Sequence, residues 1–175
     1  MGYLCSFLHT LINFRIFTTQ NIFMIQIDIP VKKHVNKYLI RRYGAVHTIS
    51  KKSFVGLLVL ELVNNEVKKV NYDIIHCDKY TLLLPDFYFN TKGFTLDKNK
   101  EKFLGVCLER MFFEDFYHFV DVELAKGNLN AYKAVNLFLK LFNIHEDDVK
   151  LESMYRNYQR FCGEKIKVKK KLVLG

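Results

Sequence analysis

The stretch FTLDKNKEKFLGVCLERMFFEDFYHFVDVELAKG, residues 94–127, decides how this chain folds. Leu104, Leu108, Phe112, Phe116, Val120 and Leu124 recur at every fourth position, with Cys107, Met111 and Phe119 beside them. A helix with that pattern presents one broad apolar face, which must be covered by other elements. Thr95 or Asp97 supplies its N-cap, because a short side-chain oxygen there accepts from an orphan N–H of the first turn. Gly127 followed by Asn128 supplies the stop, where the backbone turns left-handed.

Working outward, the rest of the chain has to cover that face. It has the means: 175 residues, half of them hydrophobic, are enough to bury a sizeable core, and Phe 16 and Tyr 10 against Pro 2 exclude global disorder. Upstream, Ile25, Ile27 and Ile29 alternate with Gln26 and Asp28, which predicts a strand ending at Pro30. A helix follows to Gly44, with Val31, Val35, Tyr38 and Leu39 inward and Lys32, Lys33, Lys37, Arg41 and Arg42 outward. Ser50 is placed to cap an apolar segment over residues 51–63, read as a deeply buried helix. Residues 64–93 read as extended, with strands over 70–75 and 80–84 and a short one over 87–89 after Pro85.

Downstream, Asn130 caps a helix with Ala131, Val135, Phe138, Leu139 and Phe142 inside, closed by Asn143. Residues 144–146 form a short turn into a last helix whose first turn carries Glu146, Asp147 and Asp148, with Leu151, Tyr155, Tyr158 and Cys162 inward, ending at Gly163. Residues 163–175 then read as a basic edge strand or a phosphate-seeking arm. The expected fold is α+β: a small antiparallel sheet packed on helices, with a C-terminal three-helix unit resembling a helix-turn-helix. The expected organisation is 1–23 a hydrophobic extension, 24–93 strand, helices and sheet, 94–162 the helical unit, and 163–175 the tail.

The extension holds Arg15 as its one charged side chain. It lacks the leading positive charge and small-residue cleavage site of a secretory signal, and polar residues interrupt it too often for a spanning helix. Met24 is therefore the expected native start, with a peripheral membrane anchor as the alternative. Cys5, Cys77, Cys107 and Cys162 show no metal-like spacing and read as reduced, packed thiols of a cytoplasmic protein.

Lys+Arg 27 against Asp+Glu 18 gives a formal charge of +9, which favours a polyanionic partner, nucleic acid first. From Pro30 through Leu60 there is no acidic residue, so the cations of that region have no local counter-charge. On the last helix, Lys150, Ser153, Arg156, Asn157 and Arg160 fall on the outer side; Arg donates to guanine edges, Asn reads adenine, and all hold phosphates. Lys169, Lys170 and Lys171 extend the same chemistry into the tail. Three carboxylates at the start of that helix argue the other way, since recognition helices lead with their N-terminal end.

The run Ile27-Asp28-Ile29-Pro30 through Tyr38-Leu39, the aromatic run Phe112 to Phe116, and Asn143 to Asp148 through Tyr155, Tyr158 and Arg160 resemble uncharacterised proteins encoded in prophages and mobile elements of gut bacteria. The resemblance spans Met24 to about Phe161. It implies a mobile-element setting, in which a small basic DNA binder is a natural occupant, and it carries no catalytic residues.

The functional expectation is a non-catalytic accessory or regulatory DNA-binding protein, able to pair as a homodimer, with no cofactor, no metal and no membrane span. A homo-oligomeric protein-interaction or virion-assembly role is the principal rival. A metal-dependent nuclease resting on Asp86, Asp148 and Lys150 is a weaker one. Glu114, His118 and Asp121 share a helix side at ligand spacing, but such clusters on polar faces are ordinarily solvated.

Overall fold

The structure, a computed structural model, describes residues 24–64, 67, 69, 71, 72, 77–92 and 97–174. The hydrophobic extension, Cys5 and most of the strand expected over 70–75 lie outside these; Asn71 and Tyr72, which are described, are in neither helix nor strand. The elements are β1 (Met24–Lys32), α1 (Lys33–Tyr43), β2 (Val46–Thr48), α2 (Phe54–Asn64), β3 (Cys77–Pro85), α3 (Asp86–Lys92), α4 (Lys98–Ala125), α5 (Ala131–Leu141) and α6 (Leu151–Leu174).

The fold is α+β, with a sheet in the order β1-β3-β2. β1 and β3 are antiparallel, Ile29 opposite Tyr80, whereas β2 lies parallel to β3, so the sheet is mixed rather than purely antiparallel. Val46–Thr48 is only three residues long, too short for an alternating pattern to mark it as a strand. β1 continues through Pro30 to Lys32 because it is an edge strand, where a residue lacking an N–H is tolerated. Phe87 to Phe89 belong to a helix: Pro85 closes β3, and Asp86 sits in the first turn of α3, where a carboxylate suits the helix dipole.

α4 is the spine. Asp97 is its N-cap, accepting from the Lys100 N–H at 2.7 Å, and Gly127 at φ 76° makes the stop. Leu104, Leu108, Met111, Phe112, Phe116 and Val120 are buried along it. They meet Ile27, Ile29 and Val31 of β1, Tyr38 and Leu39 of α1, Phe138 of α5 and Tyr158 of α6 in one core. Gly105 permits the crossing: a Cβ there would lie 2.3 Å from the Pro30 carbonyl oxygen, so any larger residue pushes α4 off β1.

α2 starts three residues later than the sequence indicates. Ser53, not Ser50, caps it, its hydroxyl accepting from the Gly56 N–H at 3.0 Å. The helix is not buried all round, since Phe54 and Leu57 are 60% and 52% exposed. α5 is capped by Asn130 and closed by Asn143 at φ 55°, as its sequence dictates. Cys77, Cys107 and Cys162 form no disulfide with one another.

Candidate nucleic-acid interface

The cations of β1 and α1 divide into two kinds. Lys32 Nζ donates to Glu109 of α4 at 2.6 Å, Lys37 Nζ to Asp148 at 2.5 Å, and Arg42 pairs with Asp115 while also donating to the Tyr38 hydroxyl. Tyr38 in turn donates to Asp115 at 2.5 Å. The counter-charges missing from residues 30–60 are thus supplied from distant parts of the chain. Lys32, Lys37 and Arg42 each have a carboxylate partner within the chain while staying partly exposed. Lys33 and Arg41, one helical turn to either side of Lys37, remain exposed.

Asp148 explains more than Lys37. Glu146, Asp147 and Asp148 are not the first turn of the last helix; they form a separate turn, and α6 begins at Leu151. Asp148 accepts from the His145 N–H at 2.8 Å as well as from Lys37. Burial alone would raise its pKa, but these two hydrogen bonds outweigh burial and hold the carboxyl below its ordinary value. The turn therefore joins α1 to the entrance of α6, and Tyr38 packs on Phe142 beside it at 5.0 Å between ring centres. The connection between α5 and α6 spans residues 142–150, longer than the three- or four-residue turn of a helix-turn-helix.

On α6, Ser153, Arg156 and Arg160 are exposed, as is Lys150 just before it. Arg156 lies 3.9 Å from Glu152 across an exposed i,i+4 pair, a weak restraint in water. Gly163 does not end the helix: α6 runs on to Leu174, so Lys169, Lys170 and Lys171 sit on helix rather than on an edge strand or arm. A lone glycine lowers helix stability by only about 1 kcal/mol, too little to stop a helix with good formers on both sides.

Asn157 is not on the outer face. It is half-buried in a groove of about 470 Å³ between α4 and α6, with Val106, Arg110, Phe113 and Glu114 on the opposite wall. Phe161 and Tyr117 stack there face to face, 4.0 Å apart and 9° from parallel. Phe113 continues the column from Tyr117 at 5.9 Å and 27°, and Lys165 Nζ closes its other end, 4.4 Å from the Phe161 ring centre. The sequence carried a signal for this groove: Val106, Phe113 and Tyr117 form a second apolar line at spacings of seven and four, beside the buried line.

Asp121 of the possible ligand set accepts from Tyr158 at 2.7 Å and from Lys165 at 2.6 Å. Burial works against its charge, yet the hydrogen bonds from Lys165 and Tyr158 lower its pKa; burial and Asp121 together raise that of Tyr158. Among the described residues no three His, Cys, Asp or Glu side chains are grouped to hold a metal ion, and no helix is long and apolar enough to cross a membrane. Family models, curated proteins and solved structures offer no match to this chain.

Proposed function

We propose that this protein is a small non-catalytic DNA-binding protein, an accessory or regulatory factor of a phage or mobile element. Its contacts come from Lys33 and Arg41 of α1, from Lys150, Ser153, Arg156 and Arg160 at and along α6, and from Lys169 to Lys171. The observation that carries the reading is the Lys37–Asp148 pair, which brings the basic helix α1 up to the entrance of α6. Cations more than a hundred residues apart in sequence are thereby carried by elements joined through that pair, and the side chains of Lys33, Arg41, Lys150, Arg156 and Arg160 are exposed and available to phosphates. The early turn of acids is neutralised in part by Lys37, which reduces the repulsion a phosphate backbone would meet there.

A salt series of electrophoretic mobility shifts tests it. Affinity for a duplex should fall steeply as salt rises, because binding releases condensed counterions. Affinity indifferent to salt removes the proposal. A homo-oligomeric interaction protein is the second reading, favoured by the exposure of Phe54 and Leu57, large apolar side chains on one short helix. Sedimentation giving a large homo-oligomer with no affinity for DNA would establish that reading instead.

A further inference from the structure

The groove between α4 and α6 has features that a face reading duplex phosphates does not use. Its wall is a column of rings, Phe161 on Tyr117 on Phe113, closed at one end by the Lys165 ammonium. Phe112 meets Phe113 edge to face at 5.3 Å, no ring other than Tyr117 is stacked on Phe113 among the described residues, and Phe113 lines the volume of about 470 Å³ together with Val106 and Arg110. That volume lies within the range of small-ligand sites. A planar ring entering the groove extends the column by one member.

The polar groups at the mouth fit the edge of such a ring. Arg110 donates, Glu114 accepts, and the Asn157 amide does both. The carboxylate of Glu109, also on the lining, is already bonded to Lys32 and so does not oppose an anionic ligand as a bare charge. The groove residues of α6 alternate with exposed cations: Arg156 precedes Asn157, and Arg160 precedes Phe161. A ring slot flanked along one helix by guanidinium groups is the combination single-stranded nucleic acid requires, bases on aromatics and phosphates on cations.

We infer that the α4–α6 groove binds an unpaired nucleobase of a single strand, stacked on Phe113, with its phosphates held by Arg156 and Arg160. The inference rests on the nucleic-acid reading and deepens it: the protein prefers single strands, or the opened part of a duplex, to intact duplex. Duplex keeps its bases stacked on one another and cannot offer a ring to the groove.

The test uses the full chain and three fluorescein-labelled probes of twenty nucleotides: a mixed-sequence single strand, the same strand in duplex, and an abasic strand with the same phosphates. Free dAMP serves as competitor. The single strand should bind about tenfold tighter than the abasic strand, the scale of one base–aromatic stack. Phe113→Leu should bring the single strand down to the abasic level and leave the abasic strand unchanged. The abasic comparison is made on the unmodified protein, so it decides the matter even if the variant fails to fold. Equal binding of single and abasic strands overturns the stacking site while leaving a phosphate binder. Full displacement of the strand by dAMP at matching affinity overturns it in favour of a free-nucleotide site. No binding of any probe at low salt removes the nucleic-acid reading and this inference with it.

Discussion

The two basic helices of this protein use their charge in opposite ways. α1 and the residue before it present Lys32, Lys37 and Arg42 to carboxylates from elsewhere in the fold, at Glu109, Asp148 and Asp115. α6 ties Lys165 to Asp121 but leaves Ser153, Arg156 and Arg160 in solvent, where among the described residues Arg156 has only the loose Glu152 contact. A run of lysines and arginines read from sequence does not distinguish the two cases, because the partner that neutralises a cation lies far along the chain. Charge density identifies a region; what closes on it decides whether the region is glue or interface.

The largest effect is expected at Asp148. Its side chain is 9% exposed and accepts both Lys37 and the His145 N–H, so Asp148→Ala leaves a partly buried ammonium and a backbone donor without partners. A stability loss of about 2–3 kcal/mol is expected in urea denaturation. A loss below about 0.5 kcal/mol would mean that α1 and the entrance of α6 are held together by packing alone.

Arg156→Ala should do the reverse. Stability should stay within about 0.5 kcal/mol of the original, since the residue is exposed and weakly paired. Binding should weaken alike on every duplex sequence, with a shallower salt dependence, as the loss of a phosphate contact requires, and Lys170→Ala should do the same. A loss from Arg156→Ala confined to one sequence, measured by fluorescence anisotropy, would make that residue a base reader instead. Arg42→Ala sharpens the contrast from the α1 side. Both it and Asp115 are 41% exposed, so solvent screening limits the stability loss to about 1 kcal/mol or less, with no change in DNA affinity.

A graded pH effect should also separate the two helices. His34 of α1 is buried against Phe112, with its Nε2 unpaired among the described residues, and burial lowers its pKa despite Glu109 and Asp148 nearby; Lys32 lowers it further. The unfolded chain therefore takes up this proton at higher pH than the folded one. Stability is full above about pH 6.5 and falls as pH drops below that value. Urea midpoints between pH 7.5 and 5.5 should decline for the original protein and flatten for His34→Leu. An unchanged slope in the variant would place the proton uptake elsewhere.

Much of the architecture was legible in the sequence because its signals are local. The apolar line of α4, the caps at Asp97 and Asn130, and the stops at Gly127 and Asn143 each depend on a few neighbouring residues. What escaped is non-local. β2 exists only because β3 offers it an edge, and Gly105 matters only because Pro30 crosses it. The turn at 146–148 passes for the first turn of a helix until Lys37 is seen bonded to Asp148. The exposed face of α6 was readable from its spacing, whereas Asn157 sits one step round the helix, where Phe161 and Tyr117 make a groove instead of a surface. The unexpected length of α6 follows from the same limit: one glycine marks an end only when the residues after it prefer another conformation.

The proposed DNA binding depends on the exposed arginines of α6 meeting phosphates. The direct measurement is duplex affinity across 50–300 mM salt for the original protein and for the Arg156→Ala, Arg160→Ala double variant. The predicted result is a straight line of log affinity against log salt for the original, and a slope shallower by about two for the double variant, about one for each lost phosphate contact. Identical lines for the two proteins would contradict it, and the free cations of α6 would then have no part in binding.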